Sequence, residues 1–307
     1  MLRVSVNQTS NFIYHVLSVA GIGYDNAYGR AYRSLHKPDH LDRLKAHEDL
    51  LRVEGGQHCG RLYGLLVAKP ACAESYDQLR YYYQNLHDLF SLKDPVLVGR
   101  MYPDLGDAFL DPNIQDWPSA YMFLWDWLGQ DADLILDLVS IFQEALVTYE
   151  TLIWPQVEGE LLTYKRDLEA CLPEDLESSW EKLLGQGLKD DFNVLICQGL
   201  EGGAQAIDIS PSKDVFGIDQ ACHDLMTFIS HEVGIYIIRD LLDQDLKDDL
   251  MTYWLALESL ATYYNLQVLD QEASDFTGDN PYLAFYGGLE DQGSLSDMIR
   301  LAHKSLA

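Results

Sequence analysis

The sequence predicts an α+β chain that is predominantly helical, with a small β-sheet lying just before its most informative helix. Three observations carry that expectation. Apolar residues recur at spacings of three and four, as in Tyr76, Leu79, Tyr83, Leu86 and Phe90, which gathers them on one helix face. Residues 204–210 largely alternate apolar and polar side chains, the period of two of a half-buried strand. The stretch after Asp219 is apolar nearly all round from its middle onward, which marks a buried helix.

The N-terminal residues come first in the chain. Only Arg3 supplies positive charge before the apolar run of residues 12–24. His15 and Ser18 interrupt that run, and Asn7, Gln8, Thr9, Ser10 and Asn11 precede it. Polar residues where a secretory signal needs positive charge argue against export, and no stretch reaches the roughly 20 apolar residues of a membrane span. The expected location is cytoplasmic. The five cysteines, Cys59, Cys72, Cys171, Cys197 and Cys222, are odd in number and form no CxxC pair. They argue against a disulfide framework or a thiolate zinc site and fit a reducing compartment.

Charge excludes other partners. With 49 Asp and Glu against 21 Lys and Arg, the formal balance is −28. Such a surface repels phosphate backbones, so neither nucleic acid nor an anionic membrane is an expected partner.

From about residue 73 to 184 the pattern is helical and interrupted by Pro95, Pro103, Pro112 and Pro118. One apolar segment runs from Tyr121 to Trp154 and is expected to stop at Pro155; another runs from Leu161 to Cys171. Trp125, Trp127, Phe142 and Tyr149 fall on these stripes, where core packing explains them better than a ligand groove. Gly185-Gln186-Gly187 reads as a connection. Residues 1–184 therefore form a mainly helical region and residues 185–307 a second region. That region opens with a short β-rich run at residues 192–197 and the strand at 204–210, ended by Pro211.

The central helix is expected to begin after Asp219 as N-cap and to reach about Leu242. His231 and Glu232 lie inside its apolar stretch, where a carboxylate is costly unless paired, hydrogen-bonded or protonated. Gly234 has no Cβ and lets a neighbour approach closely. A second helix, expected to be capped by Asp245, carries Glu258 in the middle of another apolar run.

A strand, a helix bearing His-Glu and a later helix bearing Glu in a Glu-small-Leu-Ala-x-Tyr context together resemble the gluzincin metallopeptidases, over roughly residues 190–265. The resemblance implies a zincin-like fold. It assigns His231 and Glu258 as zinc ligands and Glu232 as the general base of peptide hydrolysis. It also implies that the strand containing Ala204 and Ala206 holds an extended peptide or protein segment, and that Tyr282 or Tyr286 contributes a hydrogen bond to substrate.

One position departs from the pattern. HExxH places histidines at i and i+4 on one helix face, whereas here the motif is HEVGI and that position is Ile235. His231 and Glu258 supply two ligands, below the three of a catalytic zinc site. His223 lies about 12 Å along the same helix, too far to converge on one ion, and Asp240 is similarly distant. His58, His87 and His303 lie on other segments whose placement the sequence does not specify. Two function classes fit these residues. One is a zinc peptidase or its inactive descendant; the other is a non-enzymatic helical protein that binds a peptide or partner and uses His231, Glu232 and Glu258 as a buried polar network.

Overall fold

The structure, a computed structural model, describes residues 1–23, 26–54, 58–102, 117–200, 206–210, 212–218, 221–271, 280–289 and 293–306. It is mostly helical around a small mixed sheet. The chain opens with strand β1 (Leu2–Ser5) and helix α1 (Gln8–Ala20). Asn7 caps α1 by accepting from the Thr9 and Ser10 backbone N–H groups, which satisfies two donors left over at a helix start. Gly21 ends it at φ 71°, a left-handed conformation that glycine adopts without strain. Every residue of α1 from Thr9 to Ala20 is buried, so the run read above as polar-interrupted is a central helix of the fold.

Helices α2 (Ala27–Tyr32) and α3 (Pro38–Ala46) follow, and then α4 (Tyr76–Leu92), whose expected stripe of Tyr76, Leu79, Tyr83, Leu86 and Phe90 is buried throughout. Pro95 opens a further short helix, Pro95–Met101, and Pro118 sits in the first turn of Trp117–Leu128. Pro103 and Pro112 lie outside the described residues.

Helix α5 (Ala132–Thr148) runs through a π-helical turn, Tyr149–Ile153, directly into α6 (Trp154–Cys171). Pro155 therefore does not stop the chain. It occupies the first turn of α6, where its missing N–H would have had no helical partner in any case. Phe142 and Tyr149 are in the core, while Trp127 is largely exposed. Helix α7 (Leu176–Leu184) closes at Gly185, again left-handed.

Three strands come next: β2 (Phe192–Cys197), β3 (Ala206–Ser210) and β4 (Lys213–Gly217). In the sheet their order is β1-β2-β4-β3, with β1, β2 and β4 parallel and β3 antiparallel at the edge. The sheet thus joins residues 2–5 to residues 192–217, drawing strands from both sides of residue 184. The sequence reading anticipated β2 and β3 but not β4, which lies between them. Successive residues of β2, from Val194 to Cys197, are all buried, so elements cover both of its faces. Helices α1 and α6 pack against β2.

Helix α8 (Cys222–Leu241) is the His-Glu helix and packs against β3. Its cap is Ala221, with Asp219 outside the described residues. The expected Asp245 cap gives way to a different arrangement. Asp245 lies within a separate short helix, Gln244–Asp248, capped at Asp243, and Arg300 binds its carboxylate at 2.7 and 2.8 Å. The chain then turns, and Thr252 Oγ1 donates to Asp249 Oδ1 at 2.8 Å, a local bond that competes with helix continuation. Helix α9 (Trp254–Val268) carries Glu258 and packs along α8. Helices α10 (Pro281–Gly287) and α11 (Leu295–Leu306) complete the fold around α9. Among the described residues no helix is long and apolar enough to cross a membrane.

Candidate functional site

Two packed helices bring the candidate residues together. His231 on α8 and Glu258 on α9 meet directly, with Nε2 to Oε2 at 2.9 Å. The imidazole is 14% exposed and the carboxylate 31%, so the pair sits at the margin of the core. Asn265 donates to the Thr227 carbonyl at 3.0 Å, a second polar tie between the same helices about one turn along α8. The half-buried Glu232 adds negative charge beside His231.

Electrostatics at His231 follow from these neighbours. Burial, the largest single influence, pulls its pKa down; the Glu258 hydrogen bond and the charges of Glu232 and Glu258 together outweigh it, and the net direction is up. The Glu258 hydrogen bond and the nearby negative charges favour the protonated imidazole over the neutral one, against the desolvation that burial imposes.

The remaining candidates divide clearly. Ile235, at the position of the expected second histidine, is 4% exposed and offers no lone pair. Gly234 is explained by packing: a Cβ there would lie 2.3 Å from the Trp180 ring, and the Trp180 indole N–H donates to Ser230 Oγ at 3.2 Å. The close neighbour that glycine admits is therefore a tryptophan from α7. Ala206 pairs with Phe216 on the edge strand β3, and Ala204 lies outside the described residues. Tyr282 is buried at the start of α10. Tyr286 commits its hydroxyl to the Ala256 carbonyl at 2.9 Å, which makes it a tie between α10 and α9.

The donor set can be tested against zinc. His231 and Glu258 are bonded to each other, and among the described residues no group of three His, Cys, Asp or Glu side chains is placed to hold a metal. Asp240 is taken by Lys189 and by Gln186 at 2.6 Å. His87 lies against Asp88, and His303 packs edge-on against the Tyr253 ring; the side chain of His58 is outside the described residues. Two protein donors do not make the three-ligand site that zinc catalysis uses.

A second polar centre was missed in the sequence. His15, fully buried on α1, shares hydrogen bonds with the Tyr28 hydroxyl through Nδ1 (2.9 Å) and with His36 through Nε2 (2.8 Å). Its ring also packs 4.8 Å from that of Tyr149. A bond between two imidazole nitrogens needs one donor and one acceptor, so both rings cannot be cationic. Burial drives both histidines below the ordinary value, and each is lowered further by a neighbouring histidine. The only signal in the sequence was a histidine inside an apolar run.

No protein-family model matches this chain, and no curated protein or solved structure matches it either.

Proposed function

We propose that this chain is a zincin-like protein that holds an extended peptide or protein segment without hydrolysing it, its metal site reduced to the His231–Glu258 pair. The observation that carries the reading is the direct bond between these two side chains across α8 and α9. The residues that the gluzincin resemblance pairs as ligands, 27 positions apart, are partners in space. They form an ion pair in which a proton on His231 offsets the carboxylate charge that a metal would otherwise neutralise. Among the described residues no third donor stands beside the pair, and a catalytic zinc site takes three protein ligands. For the bound segment the supporting feature is β3, which pairs with β4 on one side and forms the sheet edge; an edge offers backbone donors and acceptors to an added strand.

Elemental analysis of the full chain and of Ile235→His tests this reading. The native chain is expected to carry far less than one equivalent of zinc, and the variant, with a third donor one turn from His231, to gain zinc. Stoichiometric zinc in the native chain together with cleavage of a fluorogenic protein substrate would overturn the proposal. A folded variant that takes up no zinc would count against the zincin-like assignment.

A further inference from the structure

Charge is unevenly spread along the chain. Residues 30–45 hold five bases, Arg30, Arg33, Lys37, Arg43 and Lys45, against two acids, Asp39 and Asp42, in a chain whose formal balance is −28. The fold brings three of these bases onto the lining of one cavity, about 790 Å³ in volume, between the end of α1 and helices α2 and α3. Arg30 comes from the last turn of α2, Arg33 from the 3₁₀ turn Arg33–Leu35 that follows, and Lys45 from the last turn of α3. Among the described residues Asp42 is the single acid on the lining, and Val19, Pro38 and Leu41 give it an apolar side.

Two of the cations are fixed at one place. Arg33 Nε donates to the Val19 carbonyl at 2.9 Å, and its Nη2 lies so close over Gly21 that a Cβ there would meet it at 3.2 Å. Lys45 Nζ donates to the Gly21 carbonyl at 2.6 Å and pairs with Glu48 at 2.6 Å. Both therefore converge on the C-terminal end of α1, which is negative and which they help to cap. Capping does not account for the cavity. The Ser18 and Leu17 carbonyls are already satisfied by the Gly21 and Ile22 N–H groups, and Arg30 reaches the lining from a different helix. His36, on the same lining, is held by its 2.8 Å bond to His15. Pro38 opens α3 without a side-chain cap, so the positive end of that helix adds to the field of the three cations.

We propose that this cavity binds a small organic phosphate, its phosphate held by Arg30, Arg33 and Lys45 and its apolar part lying over Val19, Pro38 and Leu41. A phosphate ester carries up to two negative charges and three strong acceptor oxygens, and guanidinium groups match those oxygens with a rigid fork of N–H donors. A carboxylate offers one charge and two oxygens to the same three cations. The three cations also outnumber Asp42 and the Glu48 partner of Lys45, so the lining stays net positive. The volume lies within the roughly 300–1,000 Å³ of small-molecule sites and leaves room for more than a free phosphate ion. Distant acidic residues repel a polyanion, but beyond about 8–10 Å salt screens their effect on one small anion. The site stands apart from the peptide-holding reading, since no lining residue belongs to α8, α9 or β3.

Isothermal titration of the full chain with phenyl phosphate, benzoate and inorganic phosphate tests this. Phenyl phosphate is expected to bind saturably at one site, about tenfold or more tighter than either of the others. In the native chain it should also shield Lys45 from acetylation, mapped by mass spectrometry, while Lys182, exposed on α7 and off the lining, reacts as before. Combining Arg30→Gln with Lys45→Gln should weaken binding by about tenfold or more. Arg43→Gln removes a base that pairs with Asp137 off the lining, and should leave binding unchanged. The proposal is overturned by the absence of saturable binding, by benzoate or inorganic phosphate binding as tightly, or by a bound chain in which Lys45 stays fully reactive. These native-chain measurements decide the matter without the variants.

Discussion

The imidazole of His231 and the carboxylate of Glu258 meet at 2.9 Å across the packed faces of α8 and α9. The bond has a definite pH signature. Burial lowers the His231 pKa, but the Glu258 bond and the nearby carboxylate charges more than offset it, so the folded-state value is raised. A raised folded value means that the stabilisation is complete below the unfolded value of about 6.5 and is lost as pH climbs through the folded one. Glu258→Gln should therefore lower the His231 pKa, read from the imidazole C–H shifts by NMR. It should also cost about 2 kcal/mol below pH 6.5 and progressively less above it. An unchanged His231 titration in the folded variant would remove the ion pair from this account.

His15 has the opposite sign. Its folded pKa is depressed by burial and by His36, so its contribution is present above about pH 6.5 and is lost as pH falls and the unfolded chain takes up a proton the folded one resists. Such a group steepens acid destabilisation by up to about 1.4 kcal/mol per pH unit. Urea titrations from pH 8 to 5 should show a shallower acid limb in His15→Gln than in the native chain. Equal slopes would mean that His15 is protonated within the fold.

Gly234 makes a steric prediction. A Cβ there would meet Trp180 ring carbons at 2.3 and 2.5 Å, and Trp180 is fully buried and hydrogen-bonded to Ser230. With the indole enclosed in the core and held by that bond, Gly234→Ala should destabilise the chain by about 1–3 kcal/mol as an overpacked core does, despite the better helix propensity of alanine. Chemical denaturation of the variant measures this directly. A stabilised variant would show that the α7–α8 contact is looser than described.

Local pattern made α4 and α8 legible, because an apolar stripe at helical spacing reports burial without knowledge of any partner. It also marked β2 and β3. It could not reveal that β1, at residues 2–5, pairs with β2 at residues 192–195, since parallel partners distant in the chain leave no local trace. The joining of α5 to α6 past Pro155 was hidden for a related reason: proline reads as a break unless a helix restarts on it. At the candidate site, His231 and Glu258 were named from a family resemblance and the structure places them in contact. Gly234, by contrast, proved to answer to Trp180, and the partners of His15 arise only from tertiary packing.

Asn11 provides the sharpest test of how α1 is fastened to the sheet. Its side chain, 2% exposed, donates from Nδ2 to the Ile196 carbonyl at 2.9 Å and accepts through Oδ1 from the Gln198 N–H at 3.1 Å. One amide thus satisfies the backbone where β2 ends, and only a group that both donates and accepts can do so. Asn11→Leu keeps the volume but leaves both backbone groups without that partner, at a cost of about 2–4 kcal/mol. Asn11→Asp keeps the acceptor and loses the donor, setting a buried carboxylate against the Ile196 carbonyl. That carboxylate is stabilised in its protonated form, so the penalty of the aspartate variant should shrink as pH falls while that of the leucine variant stays nearly constant. Urea midpoints for both variants at pH 7.5 and 5 separate the two cases, and parallel behaviour would show that the donor to Ile196 contributes nothing.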